Sequence, residues 1–377
     1  MSGLKSYFLR DRRYAYLSGT VMAALCVLLW RAAPSDRSFI YPGGVVMGAF
    51  VAVCGLFALL SLSALIAKLA RWRDYDSTLF RRPAMIRAAG LLRWAVALCF
   101  ALTVLDRLVL GFVSLASAAL SAEKNPQDFL SSMIYMLGKG RSMFLLGIGT
   151  TVRIALFGTA VAFVLALLMV TLRIMRPVRQ DNDLSRFLKR IGSAFAKVYI
   201  TVIRGTPMMV QALIIYYAGF ALLKNTRMSI TEINLVWSAF TAGLITVSLN
   251  STAYLAEVLR GGIESIDGGQ TEAARSLGMT NWQAMVKVVF PQAVKNSIPA
   301  IGNEFIINIK DSSVLSVIAC YDLMFATTSV VGIYYRQLEV YCIAAIVYLI
   351  MTYLSSLLMA FIAKRLDAPA KGLPSSN

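Results

Sequence analysis

Runs of about twenty predominantly apolar residues, separated by short polar segments, constrain this chain more than any other feature. A helix rising about 1.5 Å per residue needs roughly that many residues to cross the hydrocarbon core of a bilayer. The runs fall at about 14–30, 45–67, 94–118, 144–172, 199–222, 236–259, 298–321 and 340–363. In lipid every backbone polar group needs a partner within the protein, so such runs fold as helices. The expected class is therefore an all-α polytopic membrane protein with about eight transmembrane helices. Composition agrees: 58% of the 377 residues are hydrophobic, whereas a soluble domain sits nearer half.

The charges are unevenly placed. The chain has 37 Lys and Arg against 19 Asp and Glu, a formal net charge of +18. Read alone, that excess points to nucleic acid; its placement argues otherwise. With the N-terminus cytoplasmic, 25 of the 37 basic residues fall in the inner segments and 8 in the outer loops. The other basic residues, Arg107, Arg153, Arg204 and Lys310, lie in or near spans. Such a bias sets orientation, so both termini and the long polar insert 257–291 are expected in the cytoplasm, with 121–141 and 321–337 outside. The basic excess is then topological, with attraction to anionic membrane lipid as a by-product, and no nucleic acid partner is expected.

The N-terminal basic residues Lys5, Arg10, Arg12 and Arg13, followed by an apolar run, resemble a signal peptide with a cleavage region at Ala32-Ala33. More spans follow and there is no A-x-A site, so an uncleaved first span is the preferred reading. A short amphipathic helix is expected at 129–137, and a disordered tail at 368–377. Asp106 and Arg107 lie inside the third run, where adjacent charges either pair with other helices or mark a break.

Several chemistries are excluded. With no histidine, His-based triads and His metal sites are impossible. Cys26, Cys54, Cys99, Cys320 and Cys342 all lie in apolar runs without paired spacing, and read as small buried hydrophobes; no metal site is expected. The GxxxxGK[ST] phosphate loop is absent. Gly138-Lys139-Gly140-Arg141-Ser142 lacks its spacing and the preceding strand. Any use of ATP has to come from another chain, and this one is expected to carry no cofactor and no catalytic residue.

The insert 257–291 reads EVLRGGIESIDGGQTEAARSLGMTNWQAMVKVVFP. Residues 271–277 are good helix formers, with Ala273 and Ala274 keeping one face slim. Asp267 or Thr271 can cap the start, and Gly278 can end the helix. After a turn at 279–282, Trp282, Met285, Val286 and Val289 recur at helical spacing. A helix this short has no core of its own and needs a partner surface. The alternative is an amphipathic helix lying on the membrane interface.

The spacing here is Glu272-Ala273-Ala274, three residues, Gly278, nine residues, then Val288-Val289-Phe290-Pro291. It resembles the EAA loop of ABC importer permeases, with Val288 and Phe290 in place of the usual Ile and Leu. Other pieces narrow the resemblance to the polar amino acid subfamily. Gly149-Thr150-Thr151-Val152 opens the first core span. The stretch from Tyr199 through Arg204-Gly205-Thr206-Pro207 to Gln211 resembles YxxxxRGTPxxxQ. Residues 253–263 resemble AYxxExxRGGI, and Lys310-Asp311-Ser312-Ser313-Val314 resembles KDTSL. The resemblance covers about 145–367. It implies a permease domain at 142–367 with a five-helix core, preceded by an N-terminal extension, 1–141, of three extra spans. It also implies that Glu272, Ala273, Ala274, Gly278 and Pro291 belong to a cytoplasmic loop that docks on an ATP-hydrolysing subunit. The implied assembly has two such subunits, a second permease, identical or similar, and an extracytoplasmic binding protein delivering an amino acid. It sits in the inner membrane of a bacterium.

Polar groups inside a bilayer are costly and face an aqueous path or another helix. Glu304, Asn308 and Asp311 follow i, i+4, i+7 and form one stripe on the seventh run, with Asn303 and Lys310 beside it. Thr246, Asn250, Tyr254 and Glu257 form another on the sixth, with Arg260 one turn beyond. A zwitterionic solute needs both charge signs nearby, and these helices offer them, so Glu304, Asn308, Lys310, Asp311, Asn250 and Glu257 are the candidate substrate-path residues. The competing reading makes Lys310-Asp311 and Glu257-Arg260 structural ion pairs. Lys310 lies roughly 18 Å along its run, near mid-membrane. Pro207, after Gly205 and Thr206, removes a backbone donor and predicts a late start or kink in the fifth run. Two functions from other classes stay open: an ion-coupled secondary transporter, against which stands the lack of an inverted repeat of broken helices, and a non-transporting membrane scaffold, which has no need of charged stripes.

Overall fold

The computed structural model describes residues 12–70, 79, 82–175, 177, 181–226 and 228–367. The basic residues Lys5 and Arg10 and the tail 368–377 lie outside the described residues. Every secondary-structure element described is helical. The chain forms two compact units, Met1–Tyr135 and Met136–Asn377.

In the first unit, α1 (Arg12–Trp30), α2 (Val45–Ala70) and α3 (Pro83–Ser121) pack together. Their shared core holds Cys26, Cys54 and Cys99, one from each helix, beside Phe57 and Val96. α3 begins at Pro83 instead of near Trp94, because Pro is well tolerated at a helix start and the helix continues beyond its apolar stretch. Within it, Leu105–Leu110 widens into a π turn. There the Asp106 carboxylate accepts the backbone N–H of Phe39 at 2.6 Å and of Ile40 at 3.3 Å, and Arg107 donates to the Ile40 carbonyl at 2.7 Å. The charged pair therefore marks a helix irregularity, and its partner is the backbone of the α1–α2 hairpin. At the start of α4 (Phe129–Lys139), the expected amphipathic helix, Asp128 accepts from the Ser131 amide and hydroxyl, which holds its carboxyl below the usual range.

In the second unit, α5 (Arg141–Ile174) and α9 (Ala239–Glu264) form the central pair. Their buried residues are mostly small: Gly147, Ala155, Gly158, Ala162 and Ala166 on α5, and Ala242, Gly243, Ser248, Ala253 and Ala256 on α9. Small residues let helices in lipid approach closely. A Cβ built at Gly158 would lie 2.7 Å from Val247 Cγ1.

The fifth apolar run is not one straight span. It is split between α6 (Asp183–Gly205) and α7 (Met208–Lys224), which meet at 110°. Thr206 and Pro207 are extended, and Pro207 has no N–H with which to continue the ladder. Gln211 satisfies the interrupted backbone, its amide donating to the carbonyls of Ile203 at 2.8 Å and Thr206 at 3.0 Å. A short helix α8 (Ile230–Val236), capped by Ser229 and Glu232, precedes α9.

After the short helix α10 (Gly268–Ser276), α11 runs Asn281–Ile318. It opens with a Thr280–Gln283 capping box and a π turn at Met285–Val289, just before Pro291, whose missing N–H cannot close a regular turn. It tightens to a 3₁₀ turn at Ser312–Ile318 and stops at Ala319, φ 59°. The expected outer loop 321–337 instead contains a helix, α12 (Leu323–Tyr334), bent 53° from α11. Its twelve residues are apolar but too few to cross a bilayer, so run length alone hid it. α13 (Gln337–Asp367) closes the unit.

Among the described residues, five helices are long and apolar enough to cross a membrane, or up to seven if each of the two bent pairs is one span. The first expected span falls on α1, a helix of 19 residues.

Two glycines of α5 separate soft from hard packing. A Cβ at Gly147 would meet the Asp322 carbonyl oxygen and Leu323 Cα, each at 2.9 Å; both are backbone and cannot rotate away. At Gly158 the obstacle is a side-chain methyl. Overpacking costs about 1–3 kcal/mol, so Gly147→Ala is expected at the upper end and Gly158→Ala near the lower. Thermal unfolding of the two variants in detergent checks this. Equal losses would mean that the α5–α12 contact gives way as easily as a side chain.

Candidate functional site

Two regions of the second unit carry the polar residues singled out above: the interior of the α5–α9–α11 cluster, and the polar loop between α9 and α11.

The interior is a hydrogen-bonded network. Asn308 on α11 is buried, and both ends of its amide are used. Its Nδ2 donates to Thr159 Oγ1 on α5 at 2.8 Å, and its Oδ1 accepts from Ser251 Oγ on α9 at 2.9 Å. Glu304, one turn earlier and also buried, lies beside the same Ser251 hydroxyl. Asn250 donates to Gln211 Oε1 at 3.1 Å, linking α9 to the residue that satisfies the α6–α7 break. Tyr199 on α6 donates to the Leu249 carbonyl at 2.7 Å. Five helices are thus tied together, α5, α6, α7, α9 and α11, and Asn308 and Asn250 hold helix to helix.

The expected stripe therefore divides. Glu304 and Asn308 point into the packed interior, whereas Asp311 is exposed, as is Lys310. Lys310 is the next-to-last residue of the α-helical part of α11, and no carboxylate among the described residues lies within ion-pair distance of it. Other cations are exposed on membrane-level helices: Arg153 stands over the Phe240 ring at 5.9 Å, and Arg204 over the Tyr254 ring at 5.2 Å.

Glu257 makes ion pairs. Its Oε1 accepts from Arg173 at the end of α5, and its Oε2 lies 2.9 Å from Arg260 Nε. Arg260 in turn reaches both oxygens of Glu264 at 2.6 Å. The Glu257–Arg260 pair follows from i, i+3 spacing. Arg173, 84 residues away in sequence, carries no spacing signal. Thr159 and Ser251 were likewise missed, since an uncharged hydroxyl in an apolar helix is unremarkable until its partner helix is known.

In the polar loop, Asp267 caps α10, accepting from the Gly269 N–H at 3.1 Å. The helix ends with Gly278 at φ +85°. The Gly278 N–H donates to the Arg275 carbonyl at 2.9 Å and the Met279 N–H to that of Ala274 at 3.2 Å, the paired closure of a helix whose C′ residue is left-handed. Ala274 packs inward, while Glu272, Ala273, Gly278 and Pro291 are exposed. Beside them Leu277 is 81% and Trp282 57% exposed.

The chain was compared with known proteins. Residues 184–370 match the family described as binding-protein-dependent transport system inner membrane component. The nopaline transport system permease protein NocM of Agrobacterium fabrum is 32% identical over 219 residues, covering 57% of this chain and 84% of NocM. The glutamine transport system permease protein GlnP of Escherichia coli is 36% identical over 181 residues, covering 48% of this chain and 77% of GlnP. A solved structure described as an amino acid ABC transporter with histidines is 36% identical, with a TM-score of 0.52, covering 64% of this chain and 99% of that one. An all-α, multi-pass chain with these relatives is a transport subunit: it belongs to the binding-protein-dependent inner membrane component family, as an ABC importer permease of the polar amino acid type.

Proposed function

We propose that this chain is the translocating subunit of an ATP-driven importer for a polar amino acid, which an extracytoplasmic binding protein delivers. It works with a second permease, identical or homologous, and two ATP-hydrolysing subunits that bind the nucleotide. It carries no cofactor itself, and both its termini are cytoplasmic.

The observation that carries this reading is the exposed docking helix. α10 is well made, capped at Asp267 and closed at Gly278, yet Leu277 and Trp282 beside it stand in the open. A short helix presenting apolar side chains next to an exposed carboxylate, Glu272, fits a groove on a partner. The Lys/Arg asymmetry assigns that partner to the cytoplasm. The solute path is read on the face that bears Lys310, because an ammonium within a span is tolerated only beside water or a partner. The carboxylate of a passing amino acid supplies that partner.

Labelling tests the orientation. A cysteine replacing Ser276 in a background without reactive thiols should react with an impermeant reagent in inside-out vesicles and stay protected in intact cells. External labelling there would invert the topology.

Coupling is tested at Gly278. A side chain at φ +85° costs about 1–2 kcal/mol, and nothing lies within 4 Å of its Cβ, so the damage falls on the turn itself. Gly278→Asp should leave the spans inserted while uptake is lost or the ATP-hydrolysing subunits dissociate. Normal uptake by an intact complex of this variant would count against docking.

A third measurement addresses the solute. A lost hydrogen bond to a charged group costs about 1.5–3 kcal/mol, so Lys310→Met should lower uptake by about tenfold or more without lowering the yield of the complex. Lys310→Arg should keep part of the activity. If Lys310→Met unfolds the subunit, and removing a carboxylate elsewhere rescues it, Lys310 is an ion-pair member and the path lies on other helices.

A further inference from the structure

The charged cluster at the cytoplasmic end of α5 and α9 has a direction. Arg173 lies in the last turn of α5. It pairs with Glu257, Glu257 with Arg260, and Arg260 with Glu264. Glu264 is the last residue of α9, three residues before the Asp267 cap of the docking helix. The signs alternate along this row and sum to zero. It therefore runs from one core helix to the root of α10 without leaving a charge over.

Two further features make the row a mechanical link. Val170 is the last fully buried residue of α5, and beyond it the partly buried Leu172 and Ile174 still pack on the core, so the Arg173 pair adds a charged tie to α9 where the packing thins. On the other side of α9, Gly262 sits against α11: a Cβ there would be 2.4 Å from Ser297 Oγ and 3.0 Å from the Ala293 carbonyl oxygen. The two helices that flank the docking loop are thus closed on each other by contact. α5 is held at that level by the ion pair. The side chains of Arg173, Glu257 and Arg260 are 26%, 20% and 32% exposed, so bulk salt screens them less than a surface pair.

We propose that Arg173 is a positioning residue for coupling: through Glu257 it ties the cytoplasmic end of α5 to the root of the docking helix, so that α5, α9 and α10 respond to the ATP-hydrolysing subunit as one body. The proposal rests on the docking role argued above. A residue that only fills space would affect assembly. A residue in this role affects how much solute moves per ATP.

The test uses the whole complex in proteoliposomes with its binding protein, measuring amino acid uptake per ATP hydrolysed alongside the yield of assembled complex. Couplings between sites commonly amount to fivefold or more. Arg173→Gln should lower the ratio by about that factor at unchanged yield, with binding-protein-independent hydrolysis rising. Arg173→Lys should retain most of the coupling, and reversing every sign along the row (Arg173→Glu, Glu257→Arg, Arg260→Glu and Glu264→Arg), which keeps the alternation, should restore part of what Arg173→Gln loses. A wild-type ratio in Arg173→Gln overturns the proposal. If Arg173→Gln fails to assemble, Glu257→Gln, which removes the same pair from the other side, decides: assembly with a lowered ratio supports the proposal, while assembly with a wild-type ratio, or failure of both variants to assemble, makes the pair structural and overturns it. A wild-type complex that hydrolyses ATP without moving any amino acid would instead overturn the transport reading itself, a failure visible before any variant is compared.

Discussion

Helices in lipid gain little by turning apolar faces toward each other, because the surrounding tails are equally apolar. Close packing and interhelical hydrogen bonds have to hold them, and in the second unit both concentrate where α5 meets α9. Gly158 removes the side chain that would strike Val247. One residue along, Thr159 accepts the Asn308 amide that also holds Ser251. The glycine makes the approach possible, and the threonine uses it to recruit a third helix. A bulky apolar residue at either position would leave hydropathy unchanged and remove the reason for these helices to associate.

The irregular turns obey a related constraint. A free carbonyl or amide in hydrocarbon costs several kcal/mol, so each break needs a local partner. At Thr206-Pro207 the partner is Gln211, whose Nε2 also reaches Thr206 Oγ1 at 2.9 Å. Its remaining oxygen goes to Asn250, so the same side chain that repairs the bend fixes the bend against α9. At Leu105–Leu110 the helix widens and Asp106 and Arg107 turn to the hairpin backbone. In both places the polar residue that looks costly in the sequence satisfies the costly backbone beside it.

Much of this was legible in the sequence, and its limits have physical causes. Hydropathy marks where lipid begins, not where helical hydrogen bonds stop. That is why α3 and α11 start well before their apolar runs, at Pro83 and Asn281, and why the apolar but short α12 read as a loop. Gly278 was legible because a helix end that needs positive φ is a demand glycine meets at little cost, and its φ is +85°. The kink at Pro207 was legible for the corresponding reason. Contacts between helices were not. Periodicity places Glu304 and Asn308 on one face of one helix, but nothing on that helix says that its neighbours offer Ser251 and Thr159. Nor does anything near Glu257 point to Arg173.

The split among the polar groups of α11 bears on how such a subunit can be both stable and mobile. Asn308 has its amide committed to two other helices, and altering it would leave buried donors and acceptors unpaired. Lys310 and Asp311, less than one turn later, are committed to nothing of that kind, and beyond them the helix tightens to a 3₁₀ turn whose hydrogen bonds are less well aligned. The anchored amide and the two exposed charges of α11 are therefore adjacent. Lys310 and Asp311 stand just past that anchor, where the backbone is already irregular. There a small shift breaks no interhelical hydrogen bond, whereas the same shift one turn earlier would have to break those made by Asn308.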